Sequence, residues 1–380
     1  MNARTPLILT ALFGASSAFA TPTGLYCSCP PSHGNGEGSV LSAVAQLAHV
    51  DGILVRLSWS TVEPAPGVYD FSLLDEQIAR AEMYGKKVSL AIVNGNAAPV
   101  WLSSLGVPIY SYSDFSGNPR SFPIPWDSTF QSRWSSFIQE LGSRYHDEDT
   151  ISLVYVTNSS HNGFEMQLPT SPADESNLIG LGYTDGVYAQ SWINSVDWFA
   201  GAFPEHDIAH EVHPVFGSDQ VALDVFAHAQ NGYGGRVGVL AAWWMVHNAQ
   251  EIYPGMFEIL QDAAEVSHAE VQVANSYTNT PERFGEGGYE GVVDLAIDSG
   301  VRYMEVWNSD LLNSALTDLM VETSERLNAV ECPADLDGSG SLDFFDISVL
   351  LNSRPDYNGD GGFDFFDISG FLQNYNAGCP

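Results

Sequence analysis

With 380 residues, 44% hydrophobic and 16% charged, the chain is long enough for a substantial core and more than one domain, and general disorder is excluded. Its 47 acidic against 13 basic residues give a formal charge of −34. That balance repels nucleic acid and anionic membranes, and suits a neutral substrate, bound Ca2+ or a salty medium.

Residues 1–20 read as a secretory signal peptide: Arg4 supplies the positive start, "PLILTALFGA" the apolar core, and Ala18-Phe19-Ala20 the cleavage site. No later apolar run reaches spanning length, so the mature chain is expected outside the cell, free or held at its surface, with no membrane span. Four cysteines fit an oxidising compartment. Cys332 and Cys379 bracket the last segment and would close it as one loop. Cys27 and Cys29, two positions apart, are free, bridged directly despite strain, or paired elsewhere.

From residue 21 to 328, strand-like runs alternate with helical patterns. The predicted strands are 24–29, 52–59, 87–93, 151–157, 207–215, 237–245, 270–276 and 301–307. Between them lie amphipathic stretches such as "FSLLDEQIARAEMYG" and "FQSRWSSFIQELGSRY". Eight strands in alternation predict an α/β fold, a (β/α)8 TIM barrel, with an open doubly wound sheet as the alternative. No Gly-rich phosphate loop follows any strand, which argues against a nucleotide site. A barrel carries its function on the loops after the strands, and the unusual residues cluster there. Candidate sugar-binding positions are Arg56, Trp59, Asn94, Trp101, Trp126, Asn158, His161, His213, Trp243, Asn248 and Trp307, the tryptophans as stacking walls. "HEVH" (210–213) lacks the spacing of a zinc helix, but Glu211 and His213 share one face and stand in reserve. Glu63 is expected to fix its loop.

The segment "RLSWSTVEPAPGVYDFSLLDEQIARAEMYGKKVSLAIVNGNAAPVWL" (56–102) resembles the strand-two to strand-three region of clan-A glycoside hydrolases, particularly the family 42 β-galactosidase-like group. The resemblance implies a secreted hydrolase of O-glycosidic bonds in a neutral oligo- or polysaccharide. Such cleavage uses two carboxyls, one as acid and one as nucleophile or base. In the clan, strand four ends in Asn-Glu, with Glu as acid/base; here Asn158-Ser159 stands there, and the next carboxylate, Glu165, is the expected acid. The clan's nucleophile ends strand seven, but "EVQVANS" has no Glu at its end. Glu305 in "YMEVW" is the expected substitute, and would fall on strand seven if "GLYCSC" were not a barrel strand. Arg56 matches the strand-two Arg that contacts the nucleophile in the clan. The two departures also allow a different reading, a carbohydrate-binding barrel that has lost catalysis.

The tail repeats with a period of 21: "DLDGSGSLDFFDIS" from Asp335 and "DYNGDGGFDFFDIS" from Asp356. Calcium loops need oxygen ligands at positions 1, 3, 5, 7, 9 and 12, with Gly at 6. The first loop offers Asp335, Asp337, Ser339, the Ser341 carbonyl, Asp343 and Asp346. The second offers Asp356, Asn358, Asp360, the Gly362 carbonyl, Asp364 and Asp367. Two structural Ca2+ ions are therefore expected. With Asp at position 12 and a short apolar helix after each loop, residues 331–380 resemble a dockerin module, a small α-helical domain of EF-hand-type repeats. The resemblance implies docking onto a cohesin-like or cell-surface protein. Phe344-Phe345 and Phe365-Phe366 would then be either recognition residues or the module's own core.

Overall fold

The computed structural model describes residues 22–30, 37–114, 116–329, 334–337, 341–357 and 362–377. The predicted signal segment, Cys332, Cys379, Ser339, Asn358 and Asp360 lie outside these residues. The chain divides into two compact units, the first ending at Leu327 and the second starting at Asn328.

In the first unit eight strands close into a parallel barrel: β1 Gly24–Ser28, β2 Gly52–Ser58, β3 Lys87–Val93, β4 Ile151–Val156, β5 Asp207–Glu211, β6 Val237–Trp244, β7 Ala269–Val273 and β8 Tyr303–Trp307. The ring closes because β1 pairs with both β2 and β8, which excludes the open sheet. It also settles the strand count: "GLYCSC" is β1, so Glu305 stands on β8. Cys27 and Cys29 are bonded to each other at the end of β1.

Period-two alternation sorts the side chains. On β2, Ile53, Val55 and Leu57 face the helical layer, while Leu54 joins Tyr26, Ala91, Leu153, Tyr155, Ala209, Leu240 and Tyr303 inside the barrel. The helices bury their apolar stripes against the outer faces. Ser128–Tyr145 starts where the Asp127 side chain accepts from Thr129 and Phe130 N–H, and it buries Phe130, Trp134, Phe137 and Leu141. Asp185–Ala202 is capped in the same way by Thr184. A hairpin, Ile109–Ser113 against Pro119–Pro123, rises from the connection after β3.

In the second unit, helices Phe344–Ser353 and Phe365–Ala377 bury Ala334, Leu350 and Phe371, with Leu336, Ile347 and Tyr357 packed around them. Phe344, Phe345, Phe365 and Phe366 are all more than 60% exposed, so these four rings do not form the module's core. No described helix is long and apolar enough to cross a membrane.

Candidate active site

The loop after β4 is built by hydrogen bonds that its sequence supplies. Asn162 Oδ1 accepts from the N–H groups of Phe164 and Glu165, and its Nδ2 donates to Glu165 Oε1 at 2.8 Å. This Asx turn aims the Glu165 carboxyl. Two glycines seat the loop against the one after β3. Gly163 has φ +74, and a Cβ there would lie 2.1 Å from Asn94 O; Gly95 has φ +57, and its Cβ would meet Ser160 O at 2.3 Å. Gly163→Ala therefore forces the two backbones apart. It is expected to reduce kcat/KM by about 10²-fold, as misplacement of a reacting group does, with little loss of overall secondary structure by circular dichroism.

Glu165 borders a cleft of about 690 Å3 at the C-terminal mouth of the barrel, together with Gln167, His213, Trp243, Asn248 and Tyr253. Asn248 Nδ2 donates to Trp243 O, and Trp243 Nε1 donates to Val212 O, which locks the indole in the wall. Beside Glu165, Glu211 ends β5 almost fully buried. Its Oε2 accepts from Met166 N–H at 2.6 Å and its Oε1 bonds His213 Nδ1 at 3.1 Å. Burial, and then the negative Glu211, push the Glu165 pKa above the ordinary carboxylate value, against the opposing pull of His161 and His213. Burial works against charge on His213, but Glu211 outweighs it and the imidazole pKa is raised. His213 Nε2 is buried and has no partner among the described residues.

Glu305 occupies a different place. It is wholly buried inside the barrel and accepts from Tyr155 OH at 2.7 Å, Tyr303 OH at 2.9 Å, Gln272 Nε2 at 2.6 Å and Ser89 Oγ at 3.4 Å. Burial raises its pKa, and Gln272, Tyr155, Tyr303 and Arg56 oppose the rise. The Phe164 ring packs edge-on to Tyr155 at 5.3 Å, with the Arg56 guanidinium 5.8 Å from its centre. Arg56 reaches in from β2, donates to Ser28 Oγ at 3.2 Å, and feels the charge of both Glu305 and Glu165. Neither Glu305 nor Glu211 borders the cleft that Glu165 borders, but Glu211 bonds the Met166 N–H next to Glu165 and the cleft residue His213.

Of the eleven candidate sugar-binding positions, His213, Trp243 and Asn248 meet Glu165 in this cleft. Trp59 is instead core: it donates to Glu63 Oε2 and packs on Trp134, Phe130 and Phe137. Glu63 also accepts from Gly67 N–H and pairs with Arg133 at 3.2 Å, as a loop anchor does. Trp101 Nε1 binds Glu63 O under the Arg133 guanidinium. Trp126 donates to Leu181 O beside Tyr183 and Tyr188, and Trp307 donates to Val273 O. Asn158 turns to Ser191, and Asn94 Oδ1 accepts from its neighbour Gly95. His161 is tied to Gln167 O and borders a separate recess. His210 is fully buried and its pKa is lowered to about 4 by that burial, which fits no metal helix. Tyr253, Gln167 and Arg283 complete the cleft without any sequence signal, because they lie in connections with no apolar period, Arg283 in the short 3-10 turn Pro281–Phe284.

Residues 44–167, about a third of the chain, match the family model of the glycoside hydrolase family 42 β-galactosidases. Among solved structures, the catalytic domain of the β-amylase of Paenibacillus polymyxa superposes with a TM-score of 0.60 at 12% identity, over 79% of this chain and 98% of that one. The endo-glycoceramidase II of a Rhodococcus species, as its lactosyl-enzyme intermediate, superposes at 0.50 with 16% identity, over 80% and 79%. These likenesses speak for the fold. No curated protein matches the sequence. The closed barrel and the matched segment together support a glycoside hydrolase, β-galactosidase-like over residues 44–167.

Proposed function

We propose that this is an exported enzyme that hydrolyses O-glycosidic bonds of a neutral oligo- or polysaccharide, with Glu165 as proton donor and Glu211 as the second carboxyl. The observation that carries the reading is that Glu165 is the one carboxylic acid bordering the 690 Å3 cleft among the described residues, with the charge of Glu211, at the end of the next strand, acting on it. A raised pKa favours the protonated carboxyl, the form that protonation of a glycosidic oxygen requires. Glu211 would then attack the anomeric carbon or activate water; a carboxyl separation of ~5–5.5 Å implies retention and ~6.5–9.5 Å implies inversion. His213 Nε2 and Asn248 are suited to bind sugar hydroxyls, and Trp243 to stack on a ring face.

A second reading keeps Glu305 as nucleophile, because Arg56 senses both Glu305 and Glu165. It requires Phe164 to swing away from Tyr155. Screening the purified protein against nitrophenyl glycosides and plant or algal polysaccharides tests the function itself. Turnover is expected; polysaccharide binding without turnover would favour the non-catalytic barrel.

For the tail, the donor set fits Ca2+. Asp335, Asp337 and Asp346 each bring a carboxylate oxygen within 4.8 Å of the others, a convergence of like charge that a cation relieves. Asp346 also accepts from Asp343 N–H, and in the second repeat Asp367 accepts from Tyr357 and Asp364 N–H. Asp343 and Asp356, Asp364 and Asp367, with the Ser341 and Gly362 carbonyls, would complete the two sites. A module with so small a core depends on its metal. Chelation is expected to unfold residues 334–377 and open them to protease while the barrel stays intact; unchanged proteolysis of the tail would contradict the assignment. The exposed phenylalanine pairs are where a cohesin-like or cell-surface protein would dock.

A further inference from the structure

The cleft does not end at Glu165. Gln167, His213 and Tyr253 border it on one side and a second chamber of about 440 Å3 on the other. Thr170 borders that chamber and also a recess of about 190 Å3 beneath the hairpin, which Tyr112, His161 and Asp174 line. The three spaces adjoin one another through these shared lining residues, from the barrel mouth to the hairpin. Either large chamber alone falls in the range of ~300–1,000 Å3 that encloses a whole small ligand. A site for a single terminal sugar needs one of them.

The walls of the second chamber suit a sugar chain. The His213 and Tyr253 rings meet edge-on at 4.7 Å and form the ridge between the chambers, with Trp243 5.2 Å from Tyr253 on the cleft side. Such faces stack on the apolar sides of pyranose rings. Phe216 faces the chamber from a two-residue turn, in which Val215 and Ser218 exchange both backbone hydrogen bonds. Its φ of +52 is a conformation that a bulky residue adopts only when its surroundings hold it there. Here Tyr183 holds the ring edge-on at 4.9 Å. Besides His213 on the ridge, the charged groups lining this chamber are the carboxylates Glu175 and Asp219, with no Lys or Arg among its described lining residues. In this chamber carboxylated or sulfated units are disfavoured, more so by a chain of net charge −34, while a basic side chain, Arg283, borders the Glu165 cleft.

We propose that the second chamber is a set of additional sugar subsites. The enzyme then takes a linear, uncharged glycan of several units and cleaves within it, the chain passing from the Glu165 cleft over the His213–Tyr253 ridge toward the hairpin. This rests on the hydrolase reading above and adds its substrate class. The test uses unbranched neutral oligosaccharides of two to six units, built from whichever sugar releases nitrophenol in the screen. The value of kcat/KM is expected to rise at least tenfold from the disaccharide to the pentasaccharide, and early products should span several lengths. Thr170→Trp, at the exposed rim, should lower the ratio of hexasaccharide to aryl-glycoside rates by tenfold or more. Equal rates at every length, with release of single units only, would overturn the proposal and leave the hydrolase reading standing. Absence of any turnover would instead contradict the hydrolase. Calorimetric titration with the hexasaccharide then decides the groove: affinity that rises with chain length supports it, and no binding, or affinity independent of length, overturns it.

Discussion

Glu165→Gln is expected to lower kcat on unactivated glycosides by about 10²–10⁴-fold, the range that a positioned general acid supplies. The amide keeps the shape and the Asn162 contact but carries no transferable proton. With a 2,4-dinitrophenyl glycoside, whose leaving group departs without protonation, kcat/KM of the same variant should stay within a few-fold of the parent. That contrast separates proton donation from a general collapse of the site. The pH profile provides a second check. Burial and the neighbouring Glu211 raise the Glu165 pKa, so its acid form survives above the ordinary carboxylate range and is lost as pH rises through that pKa. The wild-type rate on unactivated substrates should therefore show an alkaline limb displaced upward from that range, and Glu165→Gln should lack it.

Glu211→Ala is expected to cost about 10⁴-fold or more in kcat if its carboxylate attacks the anomeric carbon. Azide should restore part of the activity and yield a glycosyl azide, because the small anion fits the space vacated. A purely structural role gives a different pattern. Met166 N–H and His213 Nδ1 would lose their acceptor, the β4 loop would shift, and azide would restore nothing. Azide rescue of Glu305→Ala, with none for Glu211→Ala, would move the nucleophile to β8. Without rescue, loss of Glu305 should appear as instability, since Tyr155, Tyr303 and Gln272 would keep buried donors without their acceptor.

The barrel could be read in the sequence because each strand repeats one physical pattern, alternating or continuous apolar residues between helical stretches of period 3.6. The loops carry no such period. Trp59 shows the consequence. It follows β2 as a stacking residue would, but one helical turn directs it into the layer of Trp134 and Phe137. Tyr253 shows the converse, an unremarkable residue before a helix whose ring becomes the floor between two chambers. Glu165 could be picked out because it is the first carboxylate after β4. The influence of Glu211 on it could not, since it depends on how the β4 loop lies against the end of β5, where Met166 N–H bonds the Glu211 carboxyl. The burial of Glu305 was equally hidden. Inward phase on a strand places a side chain inside the barrel but does not say at what depth below the mouth, and here Phe164 packs over the aromatic cluster that holds it.

The most direct test of the central claim is a crystal structure with a cationic iminosugar, a mimic of the charged ring at the transition state. The account predicts the ring nitrogen between the Glu165 and Glu211 carboxyls, with Trp243 along one face and His213 Nε2 on a hydroxyl. An iminosugar seated on Glu305 beneath a displaced Phe164, or Glu165 pointing away from the bound ring, would contradict it.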